Sequence, residues 1–169
     1  MAKINLVWIG AINSSPTWPL GEAYQCGSSP QAVQPLLSEH LKTGQADAWL
    51  FWDPTLGPAP TQELLQPLLA GPADVWHAGL QLGLGGQPDW IDFVSPTWML
   101  NRDPDPDIQA SSWRLSLRAC LIRTEVLRQL GGPDPHYQSL EAAGLELGLR
   151  YIRRCAFVQY VPGLITPPH

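Results

Sequence analysis

The sequence predicts an α/β domain built on a mixed, mainly parallel central sheet, and three observations carry that reading. The runs Ile4 to Ile12 and Ala46 to Trp52 are almost continuously apolar and rich in β-formers, the pattern of strands covered on both faces. Between them Val33, Leu36, Leu37 and Leu41 recur at helical spacing. Further on, strand-like stretches cluster before two more helical patterns. Strands that alternate with helices early and then cluster suit a layered sheet flanked by helices.

Asn13-Ser14-Ser15-Pro16 breaks the first strand, and a polar loop is expected from there to Ser29. Ser29-Pro30 reads as an N-cap followed by proline at the first helical position, where a missing N–H costs nothing. The helix expected over Pro30–Lys42 closes at Gly44 and forms the crossover between two adjacent parallel strands. The second strand stops sharply at Asp53-Pro54. Thr61 is placed to cap the next helix, which turns Leu64, Leu65, Leu68 and Leu69 inward before Gly71-Pro72.

Further strands are expected over Asp74–Leu82, Trp90–Met99 and Trp113–Arg123, with a turn at Gly83, Gly85 and Gly86. Thr124 is expected to cap a short helix bearing Val126, Leu127 and Leu130, which Gly131-Gly132 ends. A last helix and a closing strand, Ala156 to Val161, follow. No repeat, linker or low-complexity tract interrupts this order, so residues 1–169 are expected to form a single domain.

The chain carries a net charge of −5, and eight of its ten basic residues lie between Arg102 and Arg154. A nucleic-acid surface needs clustered cations to neutralise phosphates. The one cluster, Arg150, Arg153 and Arg154, sits where a helix end favours positive charge, so no nucleic-acid partner is expected. No run approaches the roughly 20 apolar residues of a membrane span. Without a signal-peptide pattern, the expected location is the cytoplasm. Cys26, Cys120 and Cys155 are too scattered for a zinc site or a disulfide framework. The eight tryptophans suit a core between sheet and helices, and an aromatic face also packs well on a sugar ring.

Two acidic positions stand out. Asp53 follows a buried strand at the end where open α/β sheets place ligands. It can serve as a metal ligand or cap the turn before Pro54. Glu141 and Glu146 lie on the last helix five residues apart, about 140° around its axis, so they do not share a face. Glu146 is placed to pair with Arg150 at i, i+4, which leaves Glu141 open. The Asp103-Pro104-Asp105-Pro106-Asp107 stretch is densely acidic, and its alternating prolines suit an extended, solvated loop better than a calcium site.

Several segments in this order resemble family-2 glycosyltransferases of the GT-A type. They are Ile9-Gly10-Ala11-Ile12-Asn13, then Trp49-Leu50-Phe51-Trp52-Asp53-Pro54-Thr55, then Ala119 to Gly132, then Leu147-Gly148-Leu149-Arg150 and Tyr160-Val161-Pro162. The resemblance implies a nucleotide-diphospho-sugar transferase fold and transfer of a sugar from a nucleotide-sugar donor to an acceptor hydroxyl. It places Ile9, Asn13 and Asp53 at the donor. It assigns Asp53 and His169 to a Mg²⁺ or Mn²⁺ ion on the diphosphate and Glu141 to the base. Thr55 stands where that family has its second metal carboxylate, and Ala143-Gly144 stand where it has an acidic pair. The stretch between Asn13 and Ala46 is shorter than that family's second strand and nucleotide segment. A catalytically inactive relative serving as a binding or interaction module is the alternative.

Overall fold

The computed structural model describes residues 1–10, 17–79 and 110–165. Its strands are β1 (Ile4–Ile9), β2 (Ala23–Cys26), β3 (Ala48–Trp52), β4 (Val75–His77), β5 (Ala119–Arg123) and β6 (Val158–Tyr160). Its α-helices are α1 (Pro30–His40), α2 (Gln62–Ala70), α3 (Thr124–Leu130) and α4 (Leu140–Arg153). The strands form one sheet in the order β2-β1-β3-β5-β4-β6. All run the same way except β5, which is antiparallel to both its neighbours. The architecture is therefore α/β with a mixed, mostly parallel sheet.

The two apolar runs are adjacent parallel strands in the middle of that sheet, in register from Ile4 opposite Ala48 to Trp8 opposite Trp52. Side-chain alternation divides the interior into two cores. On one face Val7, Ile9, Trp49, Phe51, Cys120 and Ile122 pack against Val33 and Leu37 of α1, Leu127 of α3, and Leu147 and Tyr151 of α4. On the other, Leu6, Leu50, Trp52, Trp76 and Leu121 meet Leu65 and Leu69 of α2 and Leu164. Each fully buried Leu or Phe contributes about 1.5–3 kcal/mol, so burial on both faces explains why β3 has no polar residue.

The structure corrects the sequence reading in three places. The loop expected to run to Ser29 contains β2, which pairs in parallel with Leu6–Ile9. Its half-exposed residues carry no apolar run, so pairing with β1 rather than propensity makes it a strand. Helix α1 consequently leaves β2, not β1, and reaches β3 across β1. Thr124 is the first helical residue instead of the cap. Its buried hydroxyl donates to the Ala46 carbonyl at 2.6 Å, fastening α3 to the start of β3. The strand expected from Trp113 begins only at Ala119.

Helix α4 forms where capping and pairing both favour it. Ser139 Oγ accepts from the Ala142 N–H at 3.2 Å, satisfying a donor that the first turn leaves free. Glu146 and Arg150 make the expected i, i+4 pair, with two contacts of 2.9 and 2.8 Å. Arg150 also donates to the carbonyls of Leu130 at 2.6 Å and Gly132 at 2.9 Å, tying α4 to the end of α3. Among the described residues, no helix is long and apolar enough to cross a membrane. The strand expected over Trp90–Met99, the Gly83–Gly86 turn and the Asp103–Asp107 stretch lie outside the described residues.

Candidate functional site

Because five strands share a direction, their carboxyl ends meet at one edge of the sheet, where β1 runs into Gly10, β3 into Asp53 and β4 ends at His77. Strand β5 runs the opposite way, so the residue just before it reaches this edge too. That residue is Arg118. Trp52 faces Ala119 in the ladder, and the next step brings the Asp53 N–H to the Arg118 carbonyl at 2.8 Å. Asp53 keeps an extended backbone (φ −94°, ψ 114°), so alternation continues and the facing side chains meet across the strands.

The resulting constellation is small and closed. Arg118 Nε donates to Asp53 Oδ2 at 2.8 Å. Asp53 Oδ1 accepts from both the Thr55 N–H at 2.9 Å and the Thr55 hydroxyl at 2.7 Å. Arg118 Nη2 in turn donates to Thr55 Oγ1 at 3.2 Å. Asp53 also caps the short 3₁₀ turn Pro54–Leu56, as turn chemistry predicts for an aspartate before proline. Partial burial pushes the Asp53 carboxyl upward. The Thr55 hydroxyl and N–H, then the Arg118 hydrogen bond and charge, outweigh that push and hold it below the usual carboxylate value.

This shift has a pH consequence of definite sign. A carboxyl with a depressed folded-state pKa stabilises the fold at pH above its unfolded value of about 3.9. That stabilisation is lost as pH falls through the lower, folded value. Urea midpoints of wild type and Asp53→Asn are expected to differ at pH 7 and to converge as pH falls through the lowered, folded-state value. A difference that persisted unchanged in acid would show that ionisation of Asp53 is irrelevant.

The other residues expected at a site are placed as follows. Ile9 is buried, and its side chain belongs to the core. Asn13 and His169 lie outside the described residues. Glu141 is half-buried in the first turn of α4 and makes no hydrogen bond or ion pair with another described residue. Ala143 and Gly144 are buried because α4 lies directly on the segment leading into Arg118. A Cβ on Gly144 would sit 2.5 Å from the Leu115 carbonyl oxygen, and one on Gly148 only 1.9 Å from that of Trp113. An acidic side chain at position 144 therefore has no room.

A groove of about 510 Å³ opens on the α2 face of β1, walled by Leu6, Trp8, Trp18, Pro58, Pro60 and Glu63 among others. That volume suits a small ligand. Helix α4, with Glu141, packs on the opposite face of the sheet, so the groove and Glu141 do not face one space.

The sequence reading passed over Arg118, His77 and Arg114. His77 is fully buried, with Nε2 3.1 Å from the Ser112 carbonyl oxygen and its ring 6.0 Å from that of Tyr160. Arg114 is also buried. A charged residue inside an apolar stretch was the available signal for Arg114 and Arg118, but it does not name a partner.

A divalent cation prefers several anionic oxygens at one point. Among the described residues no three of His, Cys, Asp and Glu are gathered in that way. Both Asp53 oxygens are already engaged, one of them by a guanidinium. The described residues do not fit a Mg²⁺ or Mn²⁺ ion at Asp53. No family model matches this chain, and no curated protein matches it.

Proposed function

We propose that this chain is a glycosyltransferase-like protein that uses the carboxyl edge of its sheet for binding or interaction and does not transfer sugar. The observation that carries this reading is the contact between α4 and the Trp113–Leu117 segment. Where the glycosyltransferase resemblance calls for an acidic pair, the backbone approach leaves no room for a side chain at Gly144, and Ala143 is fully buried in the core. Proton abstraction needs a carboxylate within hydrogen-bond reach of the acceptor hydroxyl, and that position carries none. The mixed sheet and the ligand-sized groove support a retained binding frame, with a nucleotide-sugar as its partner. Activity does not follow from such a frame alone.

The transfer reading keeps one observation in its favour. Glu141 is half-buried and its carboxylate is not tied up by other described residues, which leaves it able to take a proton. In that reading Glu141 deprotonates the acceptor hydroxyl. Release of UDP or GDP from UDP- and GDP-sugars, measured with Mn²⁺ over long incubation, separates the two. No turnover above buffer is expected. Turnover that vanishes in Glu141→Gln would overturn the binding reading.

A further inference from the structure

We infer that Arg118 is a built-in counter-cation, through which the carboxyl edge takes a phosphate-bearing ligand without a divalent metal. The inference rests on the reading of this edge as a binding site and concerns its charge. A metal site of the implied kind would leave the Asp53 carboxylate open toward the ligand. Here the guanidinium stands against that carboxylate at 2.8 Å, so positive charge comes from the chain itself.

The geometry of Arg118 suits the task. Its Nε–H is spent on Asp53, and one Nη2–H on Thr55. The remaining N–H groups have no partner among the described residues. The side chain is 23% exposed, against 15% for Asp53, so Arg118 is the more accessible member of the pair. Asp53 and Thr55 fix the plane of the fork from one side. A planar guanidinium held in this way presents its other edge for two parallel hydrogen bonds to phosphate oxygens. The Asp53 charge opposes an incoming anion, so its role here is to position Arg118 and not to hold a metal.

Calorimetric titration of UDP and of inorganic pyrophosphate, each in EDTA and in excess Mn²⁺, tests this. Wild type is expected to bind at least one probe equally well in both conditions. Arg118→Gln is expected to lose about tenfold in affinity, as the loss of charge-assisted hydrogen bonds implies. Asp53→Asn is expected to keep binding that is the same in EDTA and in excess Mn²⁺, whatever its affinity. UDP bound better than pyrophosphate assigns the site to a nucleotide, and equal binding assigns it to a free polyphosphate. Should Arg118→Gln fail to fold, the wild-type and Asp53→Asn arms still decide. Binding that requires Mn²⁺ and disappears in Asp53→Asn would overturn the inference, as would no binding of either probe. Sugar-nucleotide turnover would overturn the proposed function and leave this charge assignment standing.

Discussion

Replacing Gly148 with alanine is expected to destabilise the protein by about 3 kcal/mol, the upper end for overpacking a buried site. The added Cβ would lie 1.9 Å from the Trp113 carbonyl oxygen and 3.0 Å from the Leu115 Cβ. The obstruction at Trp113 is backbone, so no rotamer change relieves it. Either α4 lifts from the sheet, exposing part of the face formed by Leu147 and Tyr151, or the 113–117 segment moves and disturbs the approach to Arg118. A domain of this size should lose roughly 6–12 °C in melting temperature for that cost. Gly163→Ala is the control, since among the described residues nothing lies within 4 Å of its added Cβ, and it should change stability by less than about 0.5 kcal/mol. Equal melting temperatures for Gly148→Ala and wild type would mean that α4 does not press on Trp113 as described.

Trp52→Ala should cost about 3–5 kcal/mol, the range for removing a large aromatic from a core. Trp52 is fully buried between β3 and α2, so the truncation leaves a void among Leu50, Leu65 and Trp76 as well as exposing them on relaxation. It also removes the indole N–H that donates to the Gly57 carbonyl at 2.9 Å. That bond closes the turn carrying Asp53 and Thr55. Trp52→Phe retains most of the volume but not the donor, and should cost about 1–3 kcal/mol through the unpaired carbonyl and residual space. Denaturant titration of both variants separates packing from hydrogen bonding. A Trp52→Ala protein with the wild-type midpoint would contradict the burial of this side chain.

These two positions differ in how much of their role the sequence exposed. Trp52 belongs to an apolar run whose only stable home is a strand covered on both faces, so its burial was legible from residues 46–52 alone. Gly148 was visible as part of Leu147-Gly148-Leu149-Arg150, but a glycine in a helix does not state what approaches it. The same division holds at the candidate site. Asp53 was located by its place after a buried strand. Its engagement by Thr55 follows from a local turn, whereas its engagement by Arg118 joins residues 65 positions apart.

Local pattern therefore determined the helices α1 to α4, the central strands β1 and β3, the Ser29 cap and the Glu146–Arg150 pair. Each depends on neighbours within about one or two helical turns or a single strand, the range over which periodicity and capping act. Tertiary structure alone decided that Ala23–Cys26 is a strand, because so short and half-exposed a segment becomes one only when β1 offers its edge. It also directed the Thr124 hydroxyl to Ala46 and pressed α4 onto Trp113. The reversal of β5 set Arg118 against Asp53. Strand direction and register are properties of the assembled sheet, and a charge pair across antiparallel neighbours exists only once that register is chosen.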